Sequence, residues 1–328
     1  MAEQLTSVSY VMPVLNEERY LREAVLSIFE QRFAGPVEVI LALGPSHDAT
    51  DAIAAELATT HPVTLVRNPT GTTSAGLNLA IAAAKHDVVV RVDAHSKLNA
   101  GYTQLAVEVL NQTGAANVGG VMKAVGKTPF QQAVAWGYTS RFGLGGGSFH
   151  VGGQAGPSDS VYLGVFRRSA LTQLGGFDES VIRGQDWELN LRIRLAGLVV
   201  WFDPRLEVEY HPRSSLRALA KQFFDTGFWR GQLTAKSLRS ASLRYFAPPL
   251  AVVVSGLGLV LAAVGLALGL PFNFGIVPLA AYLAAVVLIA GSASGLSLAA
   301  RLAVVLALPT MHFAWGLGFI PGLLRARR

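Results

Sequence analysis

The first 200 residues alternate between two rhythms. A continuous apolar run at 8–14 has the character of a buried strand. The polar Asn16-Glu17-Glu18 after it opens a stretch in which Leu21, Val25, Ile28 and Phe29 recur at helical spacing. A second strand is predicted at 37–43. The turn GPSHDATD follows, where Asp48 or Thr50 can cap a helix over 51–59. A strand at 63–66, a helix at 75–85 and a strand at 87–92 continue the pattern. A strand at 161–166 and a helix at 186–195, with Leu189, Ile193 and Ala196 on its buried face, repeat it later. Strands alternating with helices at this interval predict an α/β fold with a parallel sheet covered on both faces. Ligands of such sheets bind beyond the carboxyl ends of the strands. Three polar clusters fall there, at 13–17, 46–48 and 93–95, and the pattern predicts that they converge.

After residue 246 the rhythm changes. Residues 248–270 are 23 positions without a charge, enough to cross roughly 30 Å of hydrocarbon at about 1.5 Å per residue. A second apolar stretch covers 275–291, and a third, 298–320, is interrupted by Arg301, Pro309 and His312. Charge sharpens this division. All 21 acidic residues lie at or before Asp225, and between Tyr245 and Leu324 the only charge is Arg301. The expected organisation is therefore a soluble α/β domain over 1–212, amphipathic helices over 213–246 and a transmembrane region of two to three spans over 247–328. Within 214–238, Leu216, Leu219, Phe223, Phe224 and Phe228 stand near helical spacing with Arg217 and Lys221 among them. That suits a helix on an anionic leaflet and equally an ordinary helix packed on the soluble domain. MAEQLTSVSYVMPV has no basic segment leading into an apolar core, so the soluble part is expected on the cytoplasmic side of the cell membrane.

Composition narrows the function classes. The 328 residues carry 27 Lys and Arg against 21 Asp and Glu, a net +6. Such an excess suits nucleic acid, anionic lipid or phosphate-bearing substrates. No cluster of basic and aromatic residues in the soluble part marks a nucleic-acid surface, so none is expected as a partner. The absence of cysteine excludes disulfides and thiolate chemistry. No Gly-x-Gly-x-x-Gly follows the first strand and no Gly-Lys-Ser/Thr loop exists, which argues against a dinucleotide oxidoreductase and a P-loop NTPase. The glycine-rich stretch 143–156 reads as a flexible lid.

The pieces VMPVLNEERYLREAVLSI, SHDAT, AGLNLAI, VRVDAHS, GGFDE and GQDWELNLRIR, in this order and spacing, resemble glycosyltransferase family 2 with its GT-A fold, over nearly the whole chain. VRVDAHS, the late HFAWGLGF and the trailing apolar spans resemble the branch holding succinoglycan-type exopolysaccharide glucosyltransferases. The resemblance implies an inverting, metal-dependent glycosyltransferase that takes a nucleotide-diphosphate sugar, with UDP the family's usual nucleotide, to a polyprenyl-linked acceptor at the membrane lipid. It places Pro13, Asn16, Glu17, Ser46, Asp48, Asn78 and Asp93 around the donor. Asp93 and His95 stand where the family carries Asp-x-Asp, so they are the implied ligands of Mg²⁺ or Mn²⁺; the period-two alternation of strand side chains puts both on one side. Asp186 takes the place of the base. Its neighbour Gln185 replaces a family glutamate, and the bland alternative for Asp186 is a helix cap. Gln185, Trp187, Gln222, Trp229 and Arg230 are the implied acceptor contacts. The family's aspartate before the Ser-x-Asp turn is missing, because Leu43-Gly44-Pro45 stand there. Two other readings stay open: a polyprenyl-phosphate glycosyltransferase gripping its lipid phosphate with Arg213, Arg217 and Lys221, and a non-catalytic sugar-nucleotide-binding membrane protein. Finally, Arg301, Pro309 and His312 predict that 298–320 does not cross as a plain lipid-facing helix.

Overall fold

The alternation within β1 (Val8–Val14) sets the layers of the sheet-bearing unit. In the computed structural model, which describes residues 4–144, 147–236, 241–270 and 272–325, Val8, Tyr10, Met12 and Val14 pack into one core and Val11 into the other. The chain continues through α1 (Leu21–Phe29), β2 (Val37–Leu43), α2 (Thr50–Thr60), β3 (Val63–Arg67), α3 (Thr73–Ala83) and β4 (Val88–Arg91). Then come β5 (Lys97–Leu98), α4 (Tyr102–Thr113), β6 (Asn117–Ala124), α5 (Pro129–Thr139), α6 (Ser148–Val151), β7 (Gly156–Pro157), β8 (Tyr162–Arg167), α7 (Arg168–Leu174), α8 (Gln185–Leu195) and β9 (Val200–Tyr210). The last helices are α9 (Leu216–Lys236), α10 (Ala247–Leu268), α11 (Val277–Ser292) and α12 (Leu298–Arg325).

The strands form one sheet in the order β3-β2-β1-β4-β8-β6-β9-β5, with β7 on β9. The half built from β1 to β4 is parallel, as the βα rhythm predicts. The other half is not: β8 runs antiparallel to both β4 and β6, and β5 runs antiparallel to β9. This GT-A-like mixed sheet carries one core of Leu21, Val25, Leu57 and Leu110 and another of Leu77, Ala80, Leu189 and Ile193. Ala196, expected on the buried face of α8, is exposed because the helix has ended at Leu195. In β6 the sequence NVGGVMKA offers no alternation to read, yet its glycines are required. A Cβ on Gly120 would overlap the Leu206 carbonyl oxygen, and one on Gly119 would meet Val161 at 2.8 Å.

The chain divides into two compact units, residues 1–123 with 147–210 and residues 124–146 with 211–328. In the second, Thr128 and Gln131 close a capping box at the start of α5, with Pro129 in the first turn. Three helices, over Leu243–Leu268, Phe274–Ser292 and Leu298–Arg325, are long and apolar enough to cross a membrane. They are not alike: 44% of the apolar window of α12 is buried in protein against 17% for each of the other two. Its main partner is α9. Side chains on Gly227 and Gly231 of α9 would overlap the carbonyls of Trp315 and Phe319, and side chains on Gly318 and Gly322 of α12 would overlap those of Phe224 and Phe228. The stretch read as amphipathic is thus a helix whose buried face, with Leu219, Phe223 and Leu233, belongs to a backbone-to-backbone packing of the small-xxx-small kind. α12 continues unbroken through Pro309, and the His312 ring hydrogen-bonds the Tyr282 hydroxyl of α11 at 2.8 Å.

Candidate active site

Three strand ends meet as the sequence predicts. Beyond β1 the chain turns at Asn16, which holds a φ of 55°, a left-handed conformation asparagine tolerates. That turn is laced to the loop after β2. The Asn16 N–H donates to Ser46 Oγ at 3.0 Å, the His47 N–H to Asn16 Oδ1 at 2.9 Å, and the Glu17 N–H to Thr50 Oγ1 at 2.8 Å. Asp48 accepts from the Glu18 N–H and from both the N–H and the hydroxyl of Thr50. The hydrogen bond from the Thr50 hydroxyl leads in holding the Asp48 carboxyl below its ordinary value. Pro13 lies within β1, against Gly76 of α3. The third strand end joins through Glu17, whose Oε1 lies 3.1 Å from His95 Nδ1.

β4 stops at Arg91, two residues before the expected acid, and Asp93 to Ser96 form a turn closed by the Ser96 N–H on the Asp93 carbonyl. The strand alternation therefore does not extend to His95. Asp93 reaches Arg91, whereas His95, half-exposed, reaches Glu17.

Arg91 organises the centre of the site. It lies on a central strand and is 5% exposed. Its Nε and Nη2 donate to Asp93 Oδ1 at 3.2 and 3.0 Å, while Nη1 donates to Asp186 Oδ1. One guanidinium thus joins a strand end to the first turn of α8. Burial pushes Asp93 upward, but the Arg91 charge, helped by His95, outweighs it and holds this carboxyl below its ordinary value. Asp186 behaves oppositely. Burial pushes it up to about 6, with Arg91 opposing and Asp93 adding to the rise. Burial would lower the Arg91 guanidinium, but the two carboxylates more than reverse that. Tyr162 of β8 stands beside this pair, its phenol pushed up by burial and by the Asp93 charge.

Capping does not account for Asp186. The residue before α8 is Gly184, at φ 79°, and no side chain caps the helix. The approach to α8 is braced instead. Asn78 Nδ2 donates to the Phe177 carbonyl at 2.9 Å and to Glu179 at 3.0 Å, and Asn78 Oδ1 accepts the Phe177 N–H. Ser74 holds the Val181 carbonyl, and Arg192 holds the carbonyls of Leu174 and Gly176 while pairing with Glu188. Asn78 therefore secures the GGFDE turn. Gln185 and Trp187 flank Asp186 in the first turn of α8, with the Trp187 ring against Gly184.

Gln222, Trp229 and Arg230 lie on α9, in the second unit. Arg230 is buried, with its guanidinium 4.5 Å from the centre of the Tyr245 ring, and burial lowers it to about 10. Gln222 is one helical turn before Thr226, whose hydroxyl donates to the Gln222 carbonyl.

Arg91 and Tyr162 are the site residues that reading the sequence missed. The signal for Arg91 was present: a lone arginine inside VVVRV must find an acid or remain an uncompensated buried charge. Among the described residues no group of three or more His, Asp or Glu side chains could hold a metal ion. The two side chains expected to hold an ion turn to different partners, Asp93 to Arg91 and His95 to Glu17. Of the two, the Asp93 carboxylate is the oxygen donor that suits Mg²⁺ or Mn²⁺, ions that complete their shell with substrate phosphates and water.

Residues 9–175 match the family model described as Glycosyl transferase family 2. The chain is 32% identical over 337 residues to the succinoglycan biosynthesis protein ExoA of Rhizobium meliloti (strain 1021), covering 100% of this chain and 98% of that one. It is 23% identical over 239 residues, 70% of this chain and 74% of the other, to a Methanococcus voltae protein. That relative is the dolichyl N-acetyl-alpha-D-glucosaminyl phosphate 3-beta-D-2,3-diacetamido-2,3-dideoxy-beta-D-glucuronosyltransferase. Among solved structures, the Pyrobaculum calidifontis mannosyltransferase PcManGT in complex with GDP-Man and Mn²⁺ superposes with a TM-score of 0.60 at 20% identity, covering 99% of this chain and 88% of that one. S. aureus TarS 1–349 in complex with UDP-GlcNAc gives 0.52 at 16% identity over 71% of this chain and 72% of that one. At these identities the structures speak for the fold alone.

Proposed function

The chain belongs to glycosyltransferase family 2, and from that premise we propose that it moves a sugar, with inversion, from a nucleotide-diphosphate sugar to a lipid-linked acceptor at the cytoplasmic membrane face. The product would serve exopolysaccharide or cell-envelope glycan synthesis. The observation that carries this reading is the pair of carboxylates, Asp93 and Asp186, brought to one guanidinium at the carboxyl end of the sheet and driven apart in basicity. Two acids with opposed environments have different work.

Asp186 is the base. The acceptor hydroxyl attacks the anomeric carbon from the face opposite the diphosphate; its oxygen forms the new glycosidic bond, its proton passes to Asp186, and the bond to the diphosphate oxygen breaks to release the nucleoside diphosphate. A carboxylate with its basicity raised to about 6 is a better proton acceptor at neutral pH than an exposed one while still ionised. Asp93, kept ionised by Arg91, and His95 are the residues that would hold Mg²⁺ or Mn²⁺, which when bound would neutralise charge on the leaving diphosphate. Pro13, Asn16, Glu17, Ser46 and Asp48 make the donor wall, and Asn78 acts on it through the GGFDE turn. A UDP-sugar is the proposed donor on family habit; Leu43, Gly44 and Pro45 offer no side chain to read the base. Gln185, Trp187, Gln222, Trp229 and Arg230 are the proposed acceptor contacts. The M. voltae relative, whose name gives it a dolichyl-phosphate-linked acceptor, and the apolar helices support a polyprenyl-linked one.

The test is transfer by purified full-length protein in lipid, across a panel of nucleotide sugars, read by released nucleotide and by NMR of the product anomer. Release with one sugar nucleotide and an inverted anomer is expected; a retained anomer would overturn the mechanism.

A further inference from the structure

We propose that Arg91 is a positioning residue of the transfer: its guanidinium fixes the base to the donor-side carboxylate, so that one group competes with the incoming cation at Asp93 while orienting Asp186. This rests on the roles given above to Asp93 and Asp186. The geometry is that of a fork. Nε and Nη2 face one carboxylate and Nη1 faces the other, so the planar group cannot turn toward either acid without leaving its partner. Both acids give Arg91 the same kind of atom, Oδ1, from segments 93 residues apart in sequence. Among the described residues no other ion pair ties α8 to β4.

A purely structural arginine would serve as well anywhere in the core. Arg91 instead sits on the one strand whose end carries the cation-binding carboxylate, two residues before it. Asp93 paired to a guanidinium is a partly satisfied ligand beside a positive charge, which would lower its affinity for a divalent cation. If Asp93 were given over to a cation, the guanidinium would keep Asp186, whose Oδ1 it holds in place for proton transfer. Arg91 thus acts on both partners of the reaction and touches neither.

Lysine separates the two roles, because it keeps the charge and loses the fork. Arg91→Lys in full-length protein is expected to lower kcat by about 10²-fold, the scale of a small misplacement of a reacting group, with the donor KM little changed. In an Asp186→Asn background the same substitution should cost no more than about twofold, since a residue acting through another loses its effect when that other is gone. A second readout is independent of turnover: Mn²⁺ binding followed by electron paramagnetic resonance should tighten in Arg91→Lys and more so in Arg91→Gln. Thermal unfolding checks that each variant is folded; if Arg91→Gln fails to fold, the lysine variant carries the test. Equal, additive kcat losses in both backgrounds with unchanged or weakened Mn²⁺ binding would overturn the proposal and leave Arg91 a core ion pair. If native protein transfers no sugar yet Mn²⁺ tightens in Arg91→Lys, the functional reading falls while the link between Arg91 and Asp93 stands.

Discussion

At the scale of the residue, two carboxylates in one site differ because their surroundings differ. Asp186 is raised to about 6 chiefly by burial, and a base works only when ionised. The sign follows: kcat/KM should fall as pH drops through about 6 and reach a plateau above it, with a single ionisation on the acid limb. A rate independent of pH between 5 and 8 would remove Asp186 from the chemistry. Asp186→Asn should lose at least about 10²-fold in kcat and keep donor affinity; collapse of affinity with kcat intact would make it a binding residue. Asp93→Asn and His95→Ala should abolish turnover, the His95→Ala loss being partly recovered by added Mn²⁺, and full activity of native protein in excess EDTA would contradict the cation. Much of this was readable. Strand-end polar clusters and an acid at a helix start point to Asp93, Glu17, Ser46 and Asp186 because the chain direction already says where those ends lie. For Arg91 only half the signal was local: a lone arginine in VVVRV calls for an acid, but which acid it finds, Asp186, stands 95 residues away. The shared side expected of Asp93 and His95 failed for a local reason: alternation holds only while the strand lasts, and β4 ends at Arg91.

At the scale of the element, legibility followed periodicity. The strands β1 to β4 announce themselves by apolar runs between turn residues. β6 and β9 do not: one is broken by Gly119 and Gly120, the other, VWFDPRLEVEY, by Asp203, Pro204 and Arg205. What makes them strands is tertiary, since Gly120 lets the Leu206 carbonyl approach. The antiparallel half of the sheet was therefore hidden. The same close approach of glycines joins α9 to α12. Gly318→Leu should force the helices apart at Phe224 and destabilise the protein by about 1–3 kcal/mol or more, as overpacking does. Gly256, where an added Cβ meets nothing within 4 Å, is the matched control, and Gly256→Leu should leave the unfolding temperature in lipid nearly unchanged. Equal unfolding temperatures for the two variants would show that the α9–α12 approach is not tight.

At the scale of the molecule, charge is partitioned between the units. Residues 1–123 with 147–210 hold 14 Lys and Arg against 20 Asp and Glu, while residues 124–146 with 211–328 hold 13 against Asp225 alone. Two basic groups flank the apolar helices. Arg213, Arg217, Lys221, Arg230, Lys236, Arg239 and Arg244 precede the first, and Arg325, Arg327 and Arg328 follow the last. Positive residues near membrane helices favour the cytoplasmic side, so both groups should lie there, whereas three full crossings would separate them. The packing within the second unit bears on this. The glycine contacts pair 224 and 227 with 318 and 315, and 228 and 231 with 322 and 319, so α9 and the end of α12 run side by side in the same direction. The Arg325 guanidinium lies 5.7 Å from the centre of the Phe228 ring. The C-terminal end of α12 is thus level with the helix that precedes every apolar span. Chain ends at one level imply an even number of crossings between them, so one of the three apolar helices is expected not to traverse the bilayer. α12, the most buried of them and the one carrying Arg301 and His312, is the expected one. A reporter fused after Arg328 should behave as α9 does: alkaline phosphatase inactive there, green fluorescent protein bright. Phosphatase activity at Arg328, with a cytoplasmic signal from a reporter placed before Leu216, would require three crossings and would mean that α12 and α9 part in the membrane.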